Sequence, residues 1–493
     1  MAKPAGQTGS VWAAGAAPAP YPPLDGDHRT ETVIVGAGIV GLTTALRLVE
    51  QGRAVTVLEG LRAGRQVTGR STAKITTQHR LIYRDLIAGV GTERAGTYAE
   101  ANMCGAAQID RWIAGHGIAC DVERKAAYVY TEDPGRRGDL DAEAAAARSL
   151  GLAAEVVARA PLPFATAGAL RFPDQAQFNP VRYLEGLARA VVARGGRIHE
   201  DSRVLAVDEG RRWRAVTARG VVEAGHVVVA TNMTIQTPVG MANRTQPRSH
   251  VVMAFRIADP DVLDGMFISA EEPSHSLRTG RDASGPVLVV LGPHFGTGRD
   301  GNVAARFTAL ERWARAHLPV GEALWHWCNE DYDTADRIPL AGEPDPVKAA
   351  GFHIATGFNA WGITNGTAAG LMIADCIRGK RHPWTELYDP ARPLPCDFHD
   401  NGDSGSYVAG PGDIGPGEGG VIVRGEEKIA LWREPDGTLR ALSAACTHKG
   451  CTVTWNNVER SWDCPCHGSI FAADGAVIHG PARTPLGPAK GFG

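Results

Sequence analysis

From Glu31 onward, short apolar runs alternate with stretches of helical apolar spacing. Residues 32–35 are an uninterrupted β-branched run, the pattern of a strand buried on both faces. Residues 42–51 place apolar side chains at helical intervals and stop at Gly52, and 54–58 form a second apolar strand that ends on Glu59. Further on, 227–229, 251–257 and 287–291 read as strands, while 182–194, 302–318 and 367–378 read as helices. The C-terminal part changes character. Residues 421–424, 427–433 and 439–443 are short strands, and Pro435-Asp436-Gly437 is a turn signal between the last two. Residues 401–420 contain eight glycines and little that packs, which reads as a seam. The expected division is an extended arm (1–30), an α/β body (31–395), a Gly-rich linker (396–420) and a small all-β domain (421–493).

With 493 residues there is room for two or three domains. A net charge of −3 provides no basic field for nucleic acid. No apolar run reaches the ~18–20 residues that a membrane span needs. The first thirty residues are rich in Ala, Pro and Gly and lack the basic start and apolar core of a signal peptide. Cys104, Cys120, Cys328, Cys376 and Cys396 are scattered without ligand spacing, which points to reduced, cytoplasmic thiols.

Gly36-Ala37-Gly38 and Gly41 form G-x-G-x-x-G between the first predicted strand and helix. Placed there, with the acidic Glu59 at the end of the next strand, the motif predicts a dinucleotide site. The pyrophosphate would sit on the helix N-terminus and Glu59 would bond a ribose hydroxyl. FAD and NAD share this signature.

Cys446 and His448, then fifteen residues, then Cys464 and His467, make a second constellation. Two thiolates and two imidazoles in this order can hold a [2Fe–2S] cluster of the Rieske kind, which moves single electrons. Zinc is the alternative, although its structural sites favour Cys pairs and His pairs rather than one of each per loop. A Rieske oxygenase would also need a mononuclear iron on two His and a carboxylate, and the sixteen His contain no closely spaced pair of that kind.

Several segments taken together carry a family resemblance. They are Gly69-Arg70-Ser71-Thr72-Ala73-Lys74, the stretch from Asp174 to Pro180, the strand ending in Ala230-Thr231-Asn232, Asp336-Arg337-Ile338-Pro339, and Phe358-Asn359-Ala360-Trp361-Gly362. Their order resembles the FAD-dependent oxidoreductases that include D-amino acid oxidase and glycine oxidase, in particular bacterial members with a C-terminal Rieske domain. The resemblance implies a Rossmann-type FAD-binding domain interleaved with an antiparallel-sheet substrate domain. It implies FAD held by Gly36, Ala37, Gly38, Gly41, Glu59, Arg70, Ser71, Thr72, Val204, Gly357, Trp361, Gly362, Ile363 and Thr364, with Gly366 opening a helix toward the ring. His79 lies near positions where some relatives attach FAD covalently. Similarity to the Rieske proteins of cytochrome complexes implies cluster ligands Cys446, His448, Cys464 and His467, a Cys451–Cys466 disulfide, and a covering loop at Gly480-Pro481-Ala482. Ser469 matches a hydroxyl donor to the cluster, whereas Phe471 stands where high-potential relatives have Tyr.

The implied activity is oxidation of a C–N bond by hydride transfer to FAD, with single-electron relay to an external acceptor protein. Reversed flow from a ferredoxin-like donor and a non-enzymatic redox sensor are the alternatives. Relatives acting on amino acids place an Arg near position 331, but 329–336 here hold four acids, so the expected substrate is a small amine-like molecule.

Overall fold

The computed structural model describes residues 4–14, 21–236, 240–398 and 405–490. One sheet runs in the order Leu340–Gly342, Phe352–Thr356, Gly220–Val229, His28–Val35, Val55–Leu58, Arg197–His199. Along this order all neighbours are parallel except the first pair, and the strands Trp213–Thr217 and Val204–Asp208 extend Gly220–Val229 in antiparallel fashion. Alternation decides the two faces. Ile34, Val57 and Val228 pack into the helical layer, while Val33, Val35, Val227 and Val229 pack toward Leu24, Val204 and Trp213 on the other side. This two-sided burial is why these strands read as unbroken apolar runs. The helices Ile39–Val49 and Gly362–Ile377 lie against each other, and a Cβ on Gly366 would come within 2.8 Å of Ile39. The second of these helices starts at Gly362, a turn before the Gly366 start expected from sequence.

The larger sheet runs Gln7–Thr8, Ala323–Asp333, Gln246–Arg256, Gly285–Gly296, Ser276–Asp282, Met266–Ser269, Glu123–Thr131, Gly168–Gln177, Lys74–Ile75. It is antiparallel apart from two parallel pairings. Val251, Met253 and Phe255 face the helix Val303–His317, while Val252 and Ala254 face Trp12 and Trp327. The strand expected at 251–257 begins five residues earlier, at Gln246. Its polar start, Arg248-Ser249-His250, hid that half from a hydrophobicity reading. Most of the acidic stretch 329–336 is the buried end of strand Ala323–Asp333.

The N-terminal arm is docked. Gln7 and Thr8 pair with Trp325 and His326, and Val11 and Trp12 are buried. Ser10 Oγ donates to the carbonyl of Gly69 (2.7 Å), and Trp12 Nε1 donates to that of Ser71 (2.8 Å).

The C-terminal body stacks the antiparallel strands Gly419–Arg424, Glu427–Arg433 and Leu439–Ser443 with a second sheet, Thr454–Asn456, Ser461–Asp463, Ile470–Ala472 and Val477–His479. The Gly-rich stretch read as linker joins this body from Tyr407, which bridges Val421. Ile414 is buried against Ile422, Ile429 and Leu431.

Candidate active site and metal centre

A long cavity opens where the first helix leaves its strand. Gly36, Ala37, Gly38, Glu59, Ser71, Thr72, Val204, Trp361, Gly362, Ile363 and Thr364 all line it. Gly36 has φ +102°, and a Cβ there would strike the carbonyl of Ala230 at 2.6 Å. Only glycine permits this turn. Gly41 lies off the cavity; a Cβ on it would sit 1.9 Å from the oxygen of Gly36, so its role is to let the helix close on the turn. Glu59 accepts hydrogen bonds from the backbone of Ala37 and Leu61, both at 2.9 Å, and burial raises its pKa. The helices Ile39–Val49 and Gly362–Ile377 both point N-termini at this space, neither capped by its own N-cap side chain, although Thr68 Oγ1 accepts from Ile39 N at 3.3 Å. Such ends favour negative charge.

Besides Gly41, two expected residues are placed elsewhere. Arg70 does not reach the cavity. Its guanidinium bonds the carbonyl of Cys328 (2.8 Å) and Glu459 of the C-terminal body (2.7 Å). Glu459 and the Cys328 carbonyl together hold the guanidinium on the side of the C-terminal body, while Ser10, Trp12 and Trp327 hold the carbonyls of the Arg70 turn. Gly357, with φ +73°, packs on Thr334 and does not line the cavity.

The far end of the cavity is lined by His79, Lys74, His250, Leu291, Asn329 and Asp331. His79 Nε2 lies 3.0 Å from the carbonyl of Thr76, so it carries the hydrogen, and Nδ1 accepts from Tyr98 at 2.7 Å. Both nitrogens are engaged and the ring stacks on Trp361 at 4.8 Å, so His79 forms part of the cavity wall. Burial holds it neutral, with its pKa lowered to about 3. Lys74 donates to Phe267 O (2.9 Å) and Ser276 Oγ (2.6 Å); burial and the charge of Arg278 bring its pKa down to about 7.

Of the four acids in 329–336, only Asp331 lines the cavity. It accepts from the backbone of Tyr332 and Ala360, and burial raises its pKa to about 6. The others are matched: Asp333 by Arg248, Asp336 by Arg392 and Glu330 by His479, 3.4 Å away. Burial raises the pKa of Glu330 and lowers that of His479 to about 4, so this last pair is a neutral acid beside a neutral ring. Sequence reasoning missed Arg248. It sits opposite Asp331 in the neighbouring strand, eighty-odd positions away, and only strand register reveals it. It also missed that Ile478, His479 and Gly480 of the C-terminal body line the same cavity.

The second constellation converges as spaced. The loop at Cys446 is closed by Cys446 N to Cys451 O (2.9 Å) and the loop at Cys464 by Cys464 N to Ser469 O (2.8 Å). The thiols of Cys446 and Cys464 are within hydrogen-bonding reach of each other, and both are buried. The rings of His448 and His467 lie 4.8 Å apart at right angles. Cys451 and Cys466 form a disulfide between the loops. Ser469 directs its hydroxyl to Cys446 and accepts from Ala482 N (3.1 Å).

The profile of FAD dependent oxidoreductases matches residues 31–376. The chain belongs to that family. This FAD-dependent oxidoreductase also carries a Rieske [2Fe-2S] domain, matched over 406–490. YhfW of Bacillus subtilis, named as a Rieske 2Fe-2S iron-sulfur protein, is 29% identical over 94% of both chains. Gamma-glutamylputrescine oxidoreductase of Escherichia coli is 24% identical, covering 79% of this chain and 92% of its own. Glycine oxidase from Geobacillus kaustophilus has the same fold over 74% of this chain and all of its own, with a TM-score of 0.63 and 18% identity.

FAD and a [2Fe–2S] cluster are therefore the oxidoreductase's cofactors, and the residues present fit both. Gly36, Ala37 and Gly38 bring backbone to the cavity at the start of the helix Ile39–Val49, and a Cβ on Gly38 would stand in that space beside Thr68 Oγ1. The two buried thiols touch each other, a hydroxyl lies on one sulfur, and the two imidazoles of the same loops face each other at 4.8 Å. This donor set suits a cluster with thiolates on one iron and imidazoles on the other. Among the described residues no helix is long and apolar enough to cross a membrane.

Proposed function

We propose that the oxidoreductase oxidises a C–N bond of an amine or a larger nitrogen compound and passes the electrons singly to an external carrier protein. The observation that carries this reading is the shared cavity: its walls come from the G-x-G-x-x-G turn, from the substrate sheet, and from Ile478–Gly480 of the Rieske body. When bound, FAD takes a hydride and the cluster takes electrons one at a time. We assign Gly36, Ala37, Gly38, Ser71 and Thr72 to the phosphates, Glu59 to the ribose and Val204 to the adenine. The uncapped start of Gly362–Ile377 stabilises negative charge on the reduced ring. Cys446, His448, Cys464 and His467 are assigned to the iron.

His79 and His250 are neutral walls that exclude water, and burial lowers the pKa of both. Asp331 is the acid left to meet a cationic group, a narrower basis than the four-acid cluster suggested. The five unpaired cysteines outside the cluster fit a reducing, cytoplasmic setting.

The test is anaerobic mixing with a panel of amines, following flavin bleaching near about 450 nm and cluster reduction by EPR. Flavin reduction that precedes the cluster signal is the expected result. Cluster reduction by a ferredoxin, with no response to any amine, would establish the reversed flow instead. Asp331→Asn should weaken a cationic amine about tenfold or more while leaving the flavin spectrum intact. Unchanged binding would remove Asp331 from recognition.

A further inference from the structure

The two imidazoles of the cluster site face different worlds. His467 is 2% exposed because the flavoprotein body covers it. Tyr332 donates its hydroxyl to the carbonyls of His467 (3.3 Å) and Gly468 (3.2 Å), and Nε2 of His467 lies 3.5 Å from Asn243 Oδ1. The approach is too close for any side chain. At Gly468, φ +68°, a Cβ would fall 2.5 Å from the Tyr332 hydroxyl and 2.9 Å from Glu330. On the other flank, a Cβ at Gly298 would fall 2.5 Å from the carbonyl of Asp463. The second ligand loop is therefore clamped. Tyr332 continues directly into the flavin wall: its carbonyl accepts from Asn359 N (3.0 Å), and the adjacent Asp331 accepts from Ala360 N, where Ala360 and Trp361 line the cavity.

His448 sits differently. It is only half-buried, and its neighbours Ala445, Thr447, Lys449 and Gly450 are exposed. Thr447 bonds the carbonyl of Thr484 (2.7 Å), which brings the exposed stretch Arg483–Pro485 alongside. The segments 445–451 and 481–490 hold Lys449, Arg483 and Lys490 and contain no acid. Arg483 also bonds Leu205 O and Gln236 Oε1 of the flavoprotein body, and Glu427 accepts from Lys490 N, so Lys449 is the cation beside His448.

We infer that the cluster is polarised. Its His467 side, held by Tyr332, is the internal port toward the flavin, and its His448 side is the external port, a basic face for an acidic one-electron carrier protein. The inference rests on the relay proposed above. For each C–N bond oxidised, two electrons leave the flavin and cross the cluster one at a time. They reduce two carrier molecules, and the hydride's proton goes to solvent.

The experiment separates the ports. Flash photolysis of holoenzyme with a deazaflavin reductant injects one electron, and flavin and cluster absorbance report its internal equilibration. Reoxidation of the reduced holoenzyme by an acidic carrier protein reports the external step, at several salt concentrations. Tyr332→Phe should slow internal equilibration about tenfold by loosening the clamp. It should also raise amide hydrogen exchange across 464–468 and leave the external rate unchanged. Lys449→Glu should slow the external step about tenfold at low salt and flatten its salt dependence, with internal equilibration unchanged. Internal transfer in the wild type that is unaltered in Tyr332→Phe, despite raised exchange, overturns the internal port. An external rate indifferent to Lys449→Glu and to salt overturns the external one. Absence of any flavin–cluster equilibration in the wild type would instead refute the relay itself.

Discussion

His79 shows what burial does to a single group. Its pKa lies near 3, against an ordinary 6.5, so between those limits the folded chain binds fewer protons than the unfolded one. Its contribution is fully present above 6.5 and is lost as pH falls toward 3. A His79→Asn variant lacks this dependence. The stability gap between wild type and variant should therefore narrow by about 1.4 kcal/mol per pH unit below about 6.5, read from urea midpoints. A gap constant with pH would contradict the assignment. Phe471 is fully buried in the apolar cluster that contains Cys446 and Cys464, and it cannot donate a hydrogen bond. Phe471→Tyr should raise the cluster's midpoint potential by about 20–60 mV, the one-electron equivalent of a hydrogen bond worth ~0.5–1.5 kcal/mol. No rise in a redox titration would count against it. At this scale the sequence was informative where chemistry is local. Glu59 lines the cavity, held by Ala37 of the glycine turn and by Leu61, and each cluster loop is closed by a hydrogen bond spanning five residues, so short motifs carried these readings. The partner of Asp333 was hidden, because Arg248 is near it only through strand pairing.

Among the elements, the N-terminal arm departs most from its sequence reading. An Ala/Pro/Gly-rich segment carries no periodicity, yet residues 5–12 form an edge strand and a brace on the turn 67–73. His326 holds the arm through Ala5 O (3.0 Å) and Thr8 Oγ1 (3.1 Å), and the guanidinium of Arg278 stacks 4.6 Å from the Trp12 ring. The carbonyls of Gly69 and Ser71 are thus fixed from behind, which leaves Ser71 and Thr72 facing the cavity. Trp12→Ala should cost about 3–5 kcal/mol of stability and weaken FAD retention, measured by flavin released on gel filtration. Stability loss with FAD held as tightly as before would show the brace to be structural only. The parallel strands were legible because burial on both faces leaves them uniformly apolar. The strand at Gln246–Arg256 was half legible, because four of its first five residues are polar and break the pattern, and only His250 of them lines the cavity.

The molecule as a whole joins two bodies through specific polar contacts. Arg70 ties the turn beside the FAD site to Glu459, whose other oxygen accepts from Cys328 N at 2.7 Å. Arg203 reaches the carbonyl of Ile478 (3.2 Å), and Arg483 reaches that of Leu205 (3.2 Å). Motifs at opposite ends of the chain disclosed both bodies, but nothing local to either announced the docking, since an interface is a property of surfaces and not of periodicity. Because Ile478, His479 and Gly480 help wall the cavity, they also set an order of manufacture. They are synthesised after every other lining residue. While the chain is being made, the flavoprotein half can therefore fold with its cavity open on one side, giving FAD a way in. The cavity acquires that last wall only when the cluster-bearing body has folded and docked. A chain that fails to build its iron–sulfur domain would in this way also fail to close its flavin site, so incomplete copies would be marked by leaking flavin.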